Sequence, residues 1–460
     1  MTKISHSTND ATKNGLSKSL RQTDILALSF GAMIGWSWVV LISQLMQRGG
    51  SVGALVATLA AGAVIVVIGL IYAELTSAMP EVGGEHAYSM RALGRNASFF
   101  CTWAIVFAYV SVVAFEAVAL PSVMENLFPM LGNGELWQVN GAMVYLDQAM
   151  IGAVVSIFIT WLNIRGVRIA ALIQGIVVIV IVLSGLALFV GLGAHGEAAN
   201  LKPLFVAGGS GVLAAMALVP FMMVGFDVIP QAAEEIDLPP KKIGQILVLS
   251  IVLAIAWYLV IELAVGMLLT ADQRSAADLA TVDATHAAWG REGAIVLLIG
   301  GVAGILTSWN GFLIGGSRAI FAMANSGMLP KMLAKVHPVY KTPVNAILFI
   351  GVLGTLSPFL GRQALIWFVD GGSFGLMIAY ILVTASFLKL RYTEPDMPRP
   401  FKVTGGLFLG WFGLFASLLM ASLYLPGMPA ALVWPQEWFL VLTWFVAGGC
   451  IYYLVRRTTE

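Results

Sequence analysis

Gly31-Ala-Met-Ile-Gly-Trp-Ser-Trp38 lies near the middle of the apolar run from Ile25 to Met46. A run of that length spans a bilayer as one helix. Gly31, Gly35 and Ser37 are weak helix formers, and an interrupted helix is tolerated at mid-membrane only where it lines a polar cavity. Freed N–H groups attract an anion, and freed carbonyl groups attract a cation. The stretch therefore predicts a broken helix that binds a ligand, with close helix packing through small residues as the alternative.

The composition is that of a membrane protein with several spans. Of the 460 residues, 59% are hydrophobic and 11% are charged, with a mean hydropathy of +0.89; soluble domains have roughly 25% charged residues. Cys101 and Cys450 lie far apart in apolar runs, so neither a disulfide nor a metal site is predicted. The net charge of +1, spread over loops, argues against a nucleic-acid partner. No cofactor is expected.

Twelve apolar segments have the length of transmembrane helices. They are residues 24–47, 52–78, 98–126, 147–164, 168–192, 211–234, 243–269, 293–324, 344–360, 364–390, 405–425 and 436–455. With the N-terminus in the cytoplasm, only five of the 25 basic residues fall outside, namely Arg48, Lys202, Arg274, Arg291 and Arg362. This asymmetry follows the positive-inside rule. We expect an all-α, multi-pass protein of the cytoplasmic membrane, surrounded by lipid, with an uncleaved first span and both termini cytoplasmic.

A second interruption lies in the sixth segment. Val219-Pro-Phe-Met-Met-Val-Gly-Phe-Asp-Val-Ile-Pro230 places two prolines, a glycine and an acid inside an apolar helix. Broken first and sixth helices, each opening a block of five spans, are typical of inverted-repeat transporters that hold their substrate between the breaks. The predicted divisions are a tail (1–22), a first repeat (23–192), a second repeat (193–391) and two additional helices (392–460).

Several motifs, in order along these segments, resemble those of the amino acid/polyamine/organocation (APC) superfamily of secondary transporters. They are Gly31-Ala-Met-Ile-Gly35, Tyr72-Ala-Glu-Leu75 with Pro80, Gly83 and Gly84, Gly225-Phe-Asp227 with Ala233-Glu-Glu235, Ser317-Arg318 with Gly327-Met-Leu-Pro330, Thr342-Pro343, and Pro395-Asp-Met-Pro-Arg-Pro400. The resemblance implies the five-plus-five broken-helix fold and transport of amino acids or related amines.

The resemblance also implies a substrate site. Many family members have small residues after the first break, where backbone N–H groups hold a carboxylate; this chain has Gly35-Trp36-Ser37-Trp38. The indole rings either contact a cationic substrate or pack between helices. The family's gating aromatic lies six residues before the acid of the sixth helix, at Phe221. The predicted substrate-binding residues are Ile34, Gly35, Trp36, Ser37, Trp38, Glu116, Phe221, Gly225, Phe226 and Asp227.

Acids inside apolar segments are costly and need a compensating partner. Glu116, Asp227 and Glu262 have no Lys or Arg at similar depth, so a proton, a metal ion or a substrate amino group would neutralise them. Glu116 is either a cation-recognition residue or a protonated packing residue bonded to a hydroxyl such as Ser111 or Ser122. We expect Glu262 to be structural, and the role of Asp370 stays open. Four more glutamates lie at cytoplasmic helix ends, where we expect them to pair with Arg and Lys of the loops: Glu74, Glu85, Glu234 and Glu235.

The coupling ion is predicted to be sodium or a proton. Some proton-driven relatives have a fifth-helix lysine in place of sodium, whereas the matching residue here is Ile181. Sodium-coupled members of this fold hold the ion with carbonyls and hydroxyls whose spacing is reproduced by Gly31, Ile34, Gly304, Thr307 and Ser308. Oxygen ligands suit a hard cation. Alternatively, the two hydroxyls bond back to their own helix.

These features together predict a secondary transporter that imports an amino acid or small amine by alternating access. A polyamine or biogenic amine carrier and an amino acid exchanger are the alternatives, with a channel or a membrane enzyme more remote. An enzyme is disfavoured because the five histidines lie in tails or loops without ligand spacing. They are His6, His86, His195, His286 and His337.

Overall fold

The computed structural model describes residues 15–127 and 130–459. The helices are α1 (Gln22–Met33), α2 (Ser37–Gly49), α3 (Ser51–Ala78), α4 (Glu85–Leu93), α5 (Arg95–Leu127), α6 (Leu146–Arg165), α7 (Val167–His195), α8 (Gly208–Met216), α9 (Val219–Met223), α10 (Val228–Gln231), α11 (Pro240–Leu268), α12 (Ala271–Ala276), α13 (Ala280–Asn325), α14 (Val344–Leu356), α15 (Ala364–Thr393), α16 (Gly406–Ser422) and α17 (Gln436–Thr459). Two strands, β1 (Glu135–Val139) and β2 (Ala142–Tyr145), form a hairpin. Lys3, His6 and Lys13 of the predicted tail lie outside the described residues.

The all-α, multi-pass fold is confirmed. Ten helical stretches are long and apolar enough to cross a membrane, and two shorter apolar helices, Val344–Leu360 and Gly406–Ser422, match the remaining predicted segments. Helices suit these runs because a bilayer offers no water to satisfy backbone groups. The division into two inverted repeats stays a prediction.

Both predicted breaks are present. Helix α1 ends at Met33 and α2 begins at Ser37, so the first span is interrupted within the Gly31–Trp38 stretch. The sixth span is divided into α8, α9 and α10, with non-helical residues between Met223 and Val228.

Helix α5 lies at the centre of the bundle, where it packs against α6, α13, α14 and α15, and its most apolar window is fully buried. Helix α1 packs against α7, α11 and α13. Helix α17 lies at the rim, with exposed apolar side chains such as Phe439 at 70%. Such a surface faces lipid in a membrane protein.

The bundle has two ends, which we call the inner and outer faces. The inner face is the end that carries Leu20, Glu235 and Arg318 and is predicted to be cytoplasmic, and the outer face is the end that carries Asp278 and Arg362. Each ion pair among the described residues joins two residues predicted for the same face. The predicted alternation of loops between faces is therefore internally consistent.

Helix α13 is kinked at Gly290, where φ is 65° and ψ is −157°. The part after the kink corresponds to the eighth predicted segment, 293–324, and the part before it is an additional outer-face helix that was not predicted. The hairpin was also not predicted. Its two-residue loop is Asn140-Gly141, and both residues have positive φ, as tight hairpin turns require.

Candidate functional site

The two broken helices are in direct contact. Gly225, between α9 and α10, has a φ of 134°, and a Cβ atom added there would lie 2.8 Å from the backbone nitrogen of Met33. Glycine is required at this point both by its backbone conformation and by the close approach of α1. The two breaks therefore lie side by side, as a substrate site between them requires, and the binding of substrate there stays a prediction.

Tyr258 on α11 connects the two breaks. Its buried hydroxyl lies 2.7 Å from the carbonyl oxygen of Met33 and 2.9 Å from that of Met222, and 2.7 Å from the hydroxyl of Ser37. A phenol has one hydrogen, so it donates to one carbonyl at a time and can accept from Ser37. Tyr258 was not predicted as a site residue, because its only signal in the sequence is a tyrosine within an apolar helix.

Glu116 on α5 lies against the first break. The backbone N–H of Trp36 donates a 3.2 Å hydrogen bond to Oε1 of Glu116, and the Ser308 hydroxyl contacts the same carboxyl group. The carboxyl is buried, and its Oε2 has no hydrogen-bond partner among the described residues. The hydroxyl of Ser111, one of the two suggested partners, makes no hydrogen bond among the described residues, so the hydroxyl beside Glu116 is that of Ser308 instead, and both readings of Glu116 stay predictions.

Small residues allow α13 and α5 to approach this break. A Cβ atom on Gly35 would overlap Oε1 of Glu116 and lie 2.7 Å from Oγ of Ser308. A Cβ atom on Gly304 would lie 2.6 Å from the carbonyl oxygen of Gly35 and 3.0 Å from that of Ile34. The backbone at Gly35 is therefore enclosed by groups that carry the predicted binding chemistry.

The predicted cation ligands lie at the same junction of α1 and α13. A Cβ atom on Gly31 would lie 3.1 Å from Cβ of Thr307. However, the Thr307 hydroxyl donates to the Gly304 carbonyl at 2.9 Å, and the Ser308 hydroxyl contacts Glu116. The side-chain amide of Gln174 also reaches this region and donates to the Thr307 carbonyl at 3.0 Å. The sodium site stays a prediction.

The two tryptophan rings pack between helices. The Trp38 ring lies 5.5 Å from that of Trp257 in an edge-on arrangement, and the Trp36 ring fills the space beside Gly301. Both rings are buried. This placement corresponds to the packing alternative, and a substrate contact by either ring stays a prediction.

Phe221 lies beneath a cavity on the outer face. Its ring makes an edge-on contact with Phe115, with 5.3 Å between the centroids. Phe115 in turn lines a cavity of about 320 Å³ together with Gln44, Asp278 and Arg362. Phe221 therefore lies one ring away from the lining of this cavity, and its role as a gating residue stays a prediction.

Asp227 stabilises the sixth-helix break itself. Its Oδ1 accepts a 3.0 Å bond from the backbone N–H of Gly225, and its Oδ2 accepts a 3.2 Å bond from the Tyr380 hydroxyl. The neighbouring Phe226 packs edge-on against Tyr72. Both residues are buried. Tyr380, on α15, was also missed in the sequence, because its proximity to Asp227 arises from long-range packing.

The inner face is closed by charged and backbone contacts. Glu235 and Arg318 form a fully buried ion pair, with 2.8 Å between Oε1 and Nε. The backbone N–H groups of Ser19 and Leu20 donate to the Glu235 carbonyl. Glu262 lies elsewhere, towards the outer end of α11, where it accepts a hydrogen bond from Thr58, in agreement with the structural role expected for it.

Other inner-face acids differ in their partners. Glu74 pairs with Arg391 and Arg399, as predicted. Glu85 instead accepts a hydrogen bond from the side-chain amide of Gln231, so the prediction of a basic partner is wrong for this residue. The loop before Glu85 packs closely against α10: a Cβ atom on Gly84 would lie 2.7 Å from Cβ of Pro230.

Comparison with known proteins shows that the chain is similar to permeases and transporters. A family model described as amino acid permease matches residues 20–450. The chain is 27% identical to the branched-chain amino acid permease BcaP of Bacillus subtilis (strain 168), over 97% of this chain and 94% of that protein. It is 26% identical to the methylthioribose transporter of the same organism, over 96% and 94%. It is also 26% identical to cationic amino acid transporter 4 of Mus musculus, over 84% and 62%.

Proposed function

The chain belongs to the amino acid permease family, and from this premise we propose that it carries an amino acid or a small amine across the membrane by alternating access. It is a multi-pass membrane protein whose family and relatives are permeases and transporters rather than enzymes. We further propose that transport is directed inwards and is coupled to sodium or protons.

The contact of Glu116 with the backbone of Trp36 is the observation that carries the proposal. An α-amino acid has a carboxylate and an ammonium group on one carbon. At this break, backbone N–H groups at the start of α2 favour the carboxylate, and the buried carboxyl of Glu116 favours the ammonium. The site therefore offers complementary charges a few ångströms apart, which is the spacing of an amino acid's main-chain groups.

The closed inner face and the outer cavity support alternating access. The Glu235–Arg318 pair and the contacts of Ser19 and Leu20 close the inner face, and Phe221 packs against Phe115, which lines the outer cavity. Release to the inside would require α1 and α10 to move away from α13. Movement of broken helices against a packed scaffold is typical of this transporter class.

A cationic amino acid or amine is a second candidate substrate. Oε2 of Glu116 is buried and has no partner among the described residues, and an additional ammonium group could supply one. The relatives are described as transporters of branched-chain amino acids, cationic amino acids and methylthioribose, so family membership does not select between neutral and cationic substrates.

A ligand screen followed by uptake tests the proposal. Purified protein should unfold at a higher temperature with one class among leucine, arginine, putrescine and methylthioribose, because a ligand that binds only the folded state stabilises it. The same compound should enter proteoliposomes with saturation, and unlabelled compound on the opposite side should accelerate exchange. No stabilising compound, or uptake without saturation and exchange, would contradict the proposed carrier.

A further inference from the structure

A group of buried acids and phenols lies on the inner side of the sixth-helix break. We call it the inner acid cluster and define it by Glu85, Asp227 and Gln231 with the phenols Tyr72, Tyr109 and Tyr380. Glu85, Asp227 and Gln231 are each 0% exposed. The Gln231 amide donates to Oε2 of Glu85, and Tyr380 donates to Asp227. The cluster adjoins the predicted substrate site: Asp227 belongs to both, and the ring of Phe226 packs against Tyr72.

The charge of Glu85 is poorly compensated. Oε1 of Glu85 and Oε1 of Gln231 make no hydrogen bond of normal geometry among the described residues, and the groups that face them are the neutral phenols of Tyr72 and Tyr109. An unsatisfied buried acceptor costs about 1–3 kcal/mol, and more when it is charged. A proton on Glu85 would both remove the charge and provide a donor.

No basic group within residues 15–127 and 130–459 is seen to compensate the two carboxyl groups. The groups that face Glu85 are Tyr72 from α3, Tyr88 from α4, Cys101 and Tyr109 from α5, Asp227 and Gln231 from the sixth span, and Tyr380 from α15. None of them is cationic. Adjacent His86 directs its ring nitrogen Nδ1 at Ser98 and Thr102 instead. Burial and the charge of Asp227 raise the pKa of Glu85.

The loop before Glu85 forms part of the inner closure. The N–H of Gly83 donates a 3.1 Å bond to the Gln231 carbonyl, and Gly83 also contacts Ala322 on α13. A Cβ atom on Gly84 would lie 2.7 Å from Cβ of Pro230. Opening of the inner face by movement of α10 would separate this loop from Gln231 and expose Glu85 to inner water.

We propose that Glu85 is a proton-binding site that is loaded when the inner face is closed and emptied when it opens. The inference rests on the proposed alternating access. On opening, the carboxylic acid ionises to a carboxylate and its proton passes to inner water; on closing, the carboxylate takes a proton back. The closed state therefore binds more protons than the open state, so low inner pH favours closure and high inner pH favours opening.

The test follows exposure of a thiol at the closure contact. Cys450→Ser removes the exposed native cysteine, Cys101 is buried, and Ala322→Cys reports separation of the Gly83 loop. The labelling rate with a hydrophilic maleimide, corrected for ionisation of the same thiol in denatured protein, measures the open fraction. A one-proton linkage raises the open-to-closed ratio by up to about tenfold per pH unit.

Glu85→Gln should abolish this pH dependence and hold the thiol protected, because the amide is a permanent analogue of the protonated acid. Glu81→Gln, which changes an exposed glutamate of the same loop, should retain the slope. Gln231→Leu should shift the midpoint to higher pH, because it removes a donor to the carboxylate. It also serves as the test if Glu85→Gln fails to fold.

Equal pH slopes in the reference protein and Glu85→Gln would overturn the inference, as would a slope that differs between sodium and choline salts. The thermal shift with leucine or arginine is measured on each variant in parallel. If that shift and uptake persist while the slopes are equal, the proton site fails alone; if no compound stabilises the reference protein or enters proteoliposomes, the proposed function fails.

Discussion

The N–H of Trp36 at the first-helix break donates a hydrogen bond to the buried carboxyl of Glu116 on α5, with 3.2 Å between nitrogen and oxygen. The bond joins the interrupted helix to the most buried helix of the bundle. It also places the acid beside the backbone groups that are expected to bind a carboxylate.

Glu116→Gln should weaken binding of amine-bearing substrates by about 1.5–3 kcal/mol, the range for hydrogen bonds to charged groups. The substituted amide can still accept the bond from Trp36, so folding should be retained. Affinities for arginine and leucine, measured by thermal shift or direct binding, report the change. Glu262→Gln, at a buried acid bonded to Thr58, is the control and should leave both affinities unaltered. Unchanged affinity, charge preference and pH dependence in Glu116→Gln would make Glu116 a packing residue.

Gly35→Ala should abolish substrate binding without unfolding the protein. The added methyl group would overlap Glu116 Oε1 and lie 2.7 Å from Ser308 Oγ, and such overpacking costs about 1–3 kcal/mol. Gly175→Ala is the matched control, because a Cβ atom there has no neighbour within 4 Å. Wild-type substrate affinity in Gly35→Ala would show that the first break is not part of the binding site.

Tyr258→Phe should destabilise the protein by about 1–3 kcal/mol, since whichever of the buried Met33 and Met222 carbonyls accepts from the phenol loses its donor. Thermal unfolding in detergent measures this loss. Tyr452→Phe, which removes a hydroxyl bonded to Asn96 at the exposed rim, should change stability far less. Equal effects of the two substitutions would show that Tyr258 does not connect the breaks.

Arg318→Gln should lower the free energy of unfolding by about 3–5 kcal/mol, because it leaves Glu235 buried without its cation. The exposed pair of Arg91 and Glu394 is the control: both side chains are partly in water, and Arg91→Gln should cost at most about 1 kcal/mol. Adding Glu235→Gln to Arg318→Gln should restore part of the loss. A small effect of Arg318→Gln in thermal unfolding would contradict the closure role of the pair.

The spans and breaks could be predicted because they depend on local composition. Long apolar runs form helices in lipid, and the residues that interrupt them, such as Gly35 and Gly225, are visible in the sequence. The extra outer-face helix before Gly290 was missed because it continues directly into the eighth span, so no polar loop marks its end.

The contacts within the site could not be predicted in the same way. Tyr258 and Tyr380 reach their partners through packing between helices distant in sequence, and spacing along one helix does not determine which side chain it meets. The same reason explains why Glu85 was expected to pair with a basic residue and instead contacts Gln231. The sequence shows that these acids are unusual for their positions, but it does not show which residues contact them.

We favour sodium over protons as the driving ion that binds at the first break. Ile181, buried on α7, lies where the resemblance would place a substituting lysine, and the carbonyls of Ile34 and Gly35 lie against Gly304. The Thr307 hydroxyl donates to Gly304, but its lone pairs remain able to coordinate a cation. Sodium should therefore raise substrate affinity, and substrate should raise sodium affinity equally.

Thr307→Val removes this hydroxyl at nearly constant volume and should abolish the sodium dependence while preserving folding. Ser308 is left unaltered because it contacts Glu116. Thr160→Val is the matched control, since its hydroxyl also bonds back to its own helix, at Ser156, and it should retain the dependence. Uptake into proteoliposomes at fixed pH, with sodium replaced by potassium or choline, measures the effect. The competing mechanism, with a proton on Glu116 or Asp227, predicts uptake that follows an imposed pH gradient; equal initial rates in all three salts would therefore reject the sodium site.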